Sequence, residues 1–239
     1  PEIAGSLIDK MLAQPSNAIM VKFLSLITEY LAEAVDVIFR RLILYMRDQK
    51  WVDLSNETMR PESSLFSRIC PLLIIRLLPI TVFDDLNSNL VYGDLSRNST
   101  VYEDGVFCNE VPDSIAAFII NRALSNSEFR DVQKLAAELC GRIHPEVLIP
   151  ILCSLLESAI DNKDVMKIKV CLFSFCSSLT FRGLDAYSYP DLIRIRKIIG
   201  NVLKWRSCND DEVAKAQHGC IDCLALMLCN EIKASGILK

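Results

Sequence analysis

The residues best suited to chemistry lie near the end of the chain: His218-Gly219-Cys220-Ile221-Asp222-Cys223, with Cys229 beyond. Two thiols and an imidazole at this spacing raise the question of zinc. A closed zinc site needs four ligands converging tetrahedrally, and a CxxC pair normally reaches that geometry from a turn or knuckle. Here the run has helical spacing, Cys220 and Cys223 fall one turn apart, and no second CxxC or CxxH supplies further ligands. Core packing is the expected role, because free cysteine behaves as a small buried hydrophobe. Nucleophilic catalysis has less to stand on. The only histidines are His144 and His218, and His144 sits at the turn before Pro145, where it is expected to end a helix rather than activate Cys140. No GxSxG, HExxH, P-loop or GxGxxG occurs. Asp84-Asp85 and Asp210-Asp211 lie in polar linkers and read as turn and cap residues. No catalytic residue, metal site or cofactor is expected, and the chain reads as a non-enzyme.

Binding chemistry is better represented. In the stretch 190–206, Leu192, Ile195, Ile199 and Val202 make a buried stripe, and Arg194, Lys197, Asn201 and Lys204 recur on the opposite face. This strip is the candidate partner-binding surface, suited to an acidic peptide or to phosphates. An ordinary solvated helix face has the same pattern. A second basic run extends from Phe39-Arg40-Arg41 to Arg47 and Lys50. The stretch FDDLNSNLVYGDLSRNSTVYEDGVFCNEVPD (83–113) is acidic, lacks helical period and contains Ser96, Ser99, Thr100 and Tyr102. It reads either as a docking or phosphorylation segment or as a silent insertion.

The elements that must position these residues announce themselves by repetition. DVQKL (131–135) returns as DVMKI (164–168) and EVAKA (212–216). The valines Val132, Val165 and Val213 stand 33 and 48 residues apart (165 − 132 and 213 − 165). At +3, +7 and +11 from each valine come Leu135, Leu139 and Ile143; Ile168, Leu172 and Cys176; and Ala216, Cys220 and Leu224. All are apolar, and the 3–4 spacing is a helix stripe. Polar clusters suited to capping precede each copy: Ser127-Glu128, Asn162-Lys163-Asp164 and Asn209-Asp210-Asp211. A further helix precedes each copy, from Asp113 to about Leu124, from Pro145 through an internal Pro150 expected to kink it, and from Pro190. Helix, short turn, helix, three times over, is the pattern of a helical solenoid.

Composition agrees with this reading. The chain has 239 residues, 51% hydrophobic and 23% charged, with a net charge of −4 that gives no general attraction to nucleic acid. Seven of its ten cysteines, Cys140, Cys153, Cys171, Cys176, Cys220, Cys223 and Cys229, sit within apolar helical runs. That usage points to a reducing compartment, cytoplasmic or nuclear. The sequons at Asn56 and Asn98 are too short to argue otherwise. CPLLIIRLLPITVF (70–83) carries Arg76 and Pro79 and is too short to span a bilayer, so it is expected to be a buried helix breaking near Pro79. The start at Pro1 reads as a piece of a longer chain, which leaves any targeting signal out of sight.

The repeats resemble the HEAT repeat, a relative of the armadillo repeat, most clearly in FRDVQKLAAELCGRIHPEVLIPILCSLLESAI (129–160) and again in CNDDEVAKAQHGCIDCLALML (208–228). The resemblance covers about 113–234. It implies an all-α fold, a right-handed α-solenoid of stacked antiparallel helix pairs, here with one long irregular insertion. In that family an acid and a base of successive repeats pair into a ladder, which would fall on Asp131 and Lys134, Asp164 and Lys167, and Asp211 and Lys215. This chain has Lys where the family commonly has Arg, and the third copy shifts its acid. The expected organisation is a helical cap or divergent repeat over 1–50, a helix and acidic loop over 51–112, and three helix pairs over 113–239. The implied function is a scaffold or adaptor that binds peptide segments or complex subunits, with nucleic-acid association through the 190–206 strip as the alternative and no membrane partner.

Overall fold

Helix is the only regular structure among the described residues of the computed structural model, which are 2–14, 19, 22–23, 26, 31, 34–48, 61–84, 115–125, 128–206 and 211–236. The acidic stretch expected over 83–113 lies outside them from residue 85 onward, as do the capping residues Asp113, Ser127, Asn209 and Asp210. Contacts divide the described residues into two compact units, one ending at Ala136 and the other beginning at Ala137.

In the first unit, α1 (Glu2–Ala13) packs on α2 (Val35–Asp48) and α3 (Pro61–Leu77). Ile8, Met11 and Leu12 of α1 are buried, as are Ile38, Phe39 and Leu42 of α2 and Leu72, Ile74 and Ile75 of α3. Arg41, from the second basic run, is exposed and pairs with Asp9 at 3.2 Å. The third helix runs through Pro71 and stops two residues before Pro79, after which a single 3-10 turn covers Ile80–Phe83. The helix and its stop at Pro79 are as the sequence predicts. The unit continues with α4 (Ile115–Leu124) and the first part of α5 (Arg130–Cys140).

A buried charge cluster lies inside this unit. The side chain of Glu128 is fully enclosed and accepts hydrogen bonds from Arg68 Nη1 of α3 (3.2 and 3.0 Å), from Arg122 Nη1 of α4, and from the backbone N–H of Phe129 (3.1 Å). The Arg122 guanidinium also lies 5.4 Å from the Phe118 ring centroid, and burial pulls it below its ordinary value against the opposing effect of Glu128. Glu128 was expected as a helix cap. It does hold the Phe129 amide, and it also sets a buried carboxylate between two buried guanidiniums.

The second unit holds the end of α5, then α6 (Pro145–Asp161), α7 (Val165–Phe181), a single turn α8 (Leu184–Tyr187), α9 (Leu192–Leu203) and α10 (Asp211–Ala234). Pro145 opens α6 because its missing N–H would be unsatisfied there anyway. The residue before it does the opposite of what the sequence led us to expect: His144 Nδ1 accepts the Glu146 amide at 3.3 Å and so begins α6 rather than ending α5. The helix then continues through Pro150, early enough to lose only one ladder bond. A three-residue turn, with Lys163 at positive φ, leads to Asp164, whose carboxylate caps α7 by accepting the Lys167 amide at 2.9 Å. Glycine brings two elements together at Gly141, where an added Cβ would stand 2.4 Å from the Ser177 carbonyl carbon of α7.

Packing within this unit follows a rule. The pair α6 and α7 is joined by a short turn and lies in contact; α6 also packs on α9, and α7 packs on α10. Leu148, Leu152, Leu156, Ile168, Cys171, Leu172 and Phe175 fill the interior from α6 and α7, and Ile195, Ile199, Val202, Ala216, Cys220 and Cys223 from α9 and α10.

Candidate functional site

The outward faces of α9 and α10 carry the binding candidates. Along α9 the buried stripe is the expected one, with Leu192, Ile195, Ile199 and Val202 enclosed. Lys197, Asn201 and Lys204 are exposed, as the sequence requires. Arg194 is differently placed. Its Nε and Nη2 donate to Glu157 Oε1 and Oε2 of α6 at 3.1 and 2.8 Å, and its Nη1 lies 3.5 Å from Asp191 Oδ2. This fork-to-fork pairing, exposed at the surface, favours the charged guanidinium and links α9 to α6. The basic strip therefore presents two lysines and an asparagine to solvent, with Arg196 beside them donating to Tyr187 Oη at 3.3 Å.

The ladder residues of the second unit meet neighbours other than those the resemblance implies. Asp164 is used as a helix cap, with Lys167 supplying its backbone N–H. The cross-helix ion pair between α7 and α10 is Lys169 with Glu212, and Lys215 joins it from within α10 at 3.0 Å from Glu212 and 2.6 Å from Asp211. Hydrogen bonding from Lys169, then from Lys215, pulls the Glu212 carboxyl down to about 2. In the first unit, Asp131 and Lys134 are exposed on α5. The ion pair that joins α7 to α10 thus uses Lys169 and Glu212 rather than Lys167 and Asp211.

The zinc-like run is a helix interior. Cys220 and Cys223 are fully buried on the inner face of α10, and Cys223 Sγ lies 3.1 Å from Cys176 Sγ of α7. Burial lifts the Cys220 thiol to about 11 and the Cys140 thiol to about 12. His218 is exposed, turned away from both cysteines' buried face. Among the described residues no group of three or more His, Cys, Asp or Glu side chains is placed to hold a metal ion.

A surface feature that the aligned copies concealed lies on α10. Its inner face is Val213, Ala216, Cys220, Cys223, Met227 and Asn230. Leu224, placed by its +11 offset among the core positions, is instead 40% exposed, beside Ile221 at 54% and Leu228 at 57%. With Ala225 these form a second apolar stripe at 3–4 spacing, roughly 120° around the helix from the first at 100° per residue. Asp222 and Glu231 flank it, both exposed. A helix polar on its outer face needs no partner there, whereas this one leaves three large aliphatic side chains in water. The 3–4 count through 221, 224, 225 and 228 was available in the sequence and is the signal that could have found it.

Comparison with protein-family models, with curated proteins and with solved structures finds no match. Among the described residues no helix is long and apolar enough to cross a membrane.

Proposed function

We propose that this chain is a non-enzymatic scaffold or adaptor module whose α10 outer stripe binds an amphipathic helix of another protein. The observation that carries the proposal is the exposure of Ile221, Leu224 and Leu228 along one face of a helix whose other face is already core. From Ile221 to Leu228 and on to half-buried Ile232 the stripe is about 16 Å long, three helical turns, which suits a helix laid in a shallow groove. The acidic flanks Asp222 and Glu231 favour a partner with Lys or Arg beside its apolar ridge.

The HEAT or armadillo-like solenoid is the architecture in which we place this surface. It is supported by the order of contacts in the second unit, where first helix lies on first helix (α6 on α9) and second on second (α7 on α10). The buried free thiols are in keeping with a cytoplasmic or nuclear setting. The nucleic-acid alternative draws less support from the strip, where Arg194 is paired at the surface with Glu157 and Asp191.

A photo-crosslinking amino acid at position 228 or, as a control, at Asn201 would capture the partner in cells. A synthetic helix from the captured protein is then titrated against the purified chain and against the double variant Ile221→Glu/Leu228→Glu. The proposal expects crosslinking at 228 and a loss of affinity of roughly 30-fold or more in the variant, with unchanged circular dichroism. Undiminished binding by the double variant, or crosslinks formed only between copies of this chain, overturns it.

A further inference from the structure

Cys176 and Cys223 sit on different helices, 47 residues apart in sequence, with their sulfurs 3.1 Å apart. To form a disulfide the sulfurs need approach by only about 1 Å, to ~2.05 Å. The two thiols differ in access. Cys223 is fully buried, its Sγ also 3.6 Å from the Leu172 carbonyl oxygen, whereas Cys176 is half-buried on the rim of α7. We propose that Cys176 and Cys223 are an oxidation-responsive pair that closes into a disulfide clasp between α7 and α10, with Cys176 as the attacking thiol and Cys223 as the resolving one.

The electrostatics support this division of roles. The hydrogen bond shared with Cys223 holds the Cys176 thiol below its ordinary value, while that bond and burial push Cys223 well up. Nucleophilic reactivity of a thiol depends on its thiolate fraction and its access, and both favour Cys176. The oxidant class is a peroxide. The Cys176 thiolate attacks one peroxide oxygen, the O–O bond breaks, and the departing oxygen leaves as water after taking a proton, which gives the sulfenic acid. The Cys223 sulfur then attacks the Cys176 sulfur, the S–O bond breaks, and a second water leaves with the Cys223 proton. Two electrons pass from the two thiols to the peroxide, and a dithiol reductant reverses the change.

The test is titration of the purified chain with hydrogen peroxide, alkylation of remaining thiols, and peptide mapping without reductant. The expected product is a linked peptide pair containing Cys176 and Cys223, with the apparent melting temperature raised by roughly 5–10 °C and returned by dithiothreitol. In Cys223→Ser the reaction should stop at a Cys176 sulfenic acid that dimedone traps. In Cys176→Ser, Cys223 should stay reduced. Linkage of Cys176 to Cys220 instead, or a Cys176 that reacts no faster than buried Cys140 while exposed Cys229 is oxidised, overturns the proposal. Because the variants replace thiol by hydroxyl at nearly equal size, Cys176→Ala provides a second version of the same comparison if a serine perturbs folding.

Discussion

Two glycines make the sharpest trial of the packing described above, because the same substitution should act with opposite sign. At Gly141 an added methyl would stand 2.4, 2.6 and 2.7 Å from the Ser177 carbonyl carbon, Cβ and carbonyl oxygen. Ordinary carbon contacts begin near 3.4 Å, so the shortfall is about 1 Å, and two of the three obstructing atoms are backbone that no rotamer change can move. The end of α5 and the C-terminal part of α7 would have to separate. Overpacking of this kind costs typically 1–3 kcal/mol. Since Gly141 does not adopt positive φ, restricting the unfolded chain returns about 0.4–1 kcal/mol. Gly141→Ala should therefore be destabilised by about 1–2 kcal/mol. Gly200, in the middle of α9, has nothing within 4 Å of the added carbon. Gly200→Ala should be stabilised by about 0.5–1 kcal/mol from helix propensity alone. Urea unfolding followed by far-ultraviolet circular dichroism and by tryptophan fluorescence reads both. If Gly141→Ala is neutral or stabilising, the native helices do not approach at that point and the packing of α7 argued here is wrong.

The remaining expectations concern charge and capping. The Glu212 carboxyl is depressed to about 2, so its pairing stabilises the fold fully above the ordinary carboxylate range. That stabilisation is lost as pH falls from about 4.5 toward 2. The stability difference between the chain and Glu212→Gln should shrink across that window, vanish only below it, and also fall with added salt, because the site is exposed. A difference that does not decline between pH 4.5 and 2 would exclude ion pairing as its source. Asp164→Ala should cost about 1 kcal/mol, with Asp164→Asn recovering most of it, since a side-chain oxygen at that position still accepts the Lys167 amide. Equal losses in both variants, measured by urea midpoint, would show that charge rather than capping matters there.

Helices were easy to foresee from residue order and their surroundings were not. The 3–4 apolar spacing in 145–160, 164–181 and 190–203 located α6, α7 and α9 because each buries one face along its length. Proline gave the clearest boundaries, opening α6 at Pro145 and lying just beyond α3 at Pro79. Copy alignment failed at Leu224 for a geometric reason. The inner face of α10 advances through Cys220, Cys223, Met227 and Asn230, so the core position after Cys220 is three residues on and not four. Either step is compatible with 3.6 residues per turn, and only the neighbouring helix decides between them. The fates of Arg194 and Lys169 were equally hidden. Their partners Glu157 and Glu212 are 37 and 43 residues away in sequence, and only the stacking of α6 with α9 and of α7 with α10 brings them together. His144 illustrates a local miss: a residue just before an N1 proline is an N-cap, and that reading was open from the sequence.

The Arg68, Arg122 and Glu128 cluster has a consequence for how the chain can vary. It ties α3 to α4 and to the residues that lead into α5, and taking away the carboxylate would break a buried charge network that joins all three, at a cost of several kcal/mol. One carboxylate thus sets the register of α3 against α4, so the three positions 68, 122 and 128 are free to change only together.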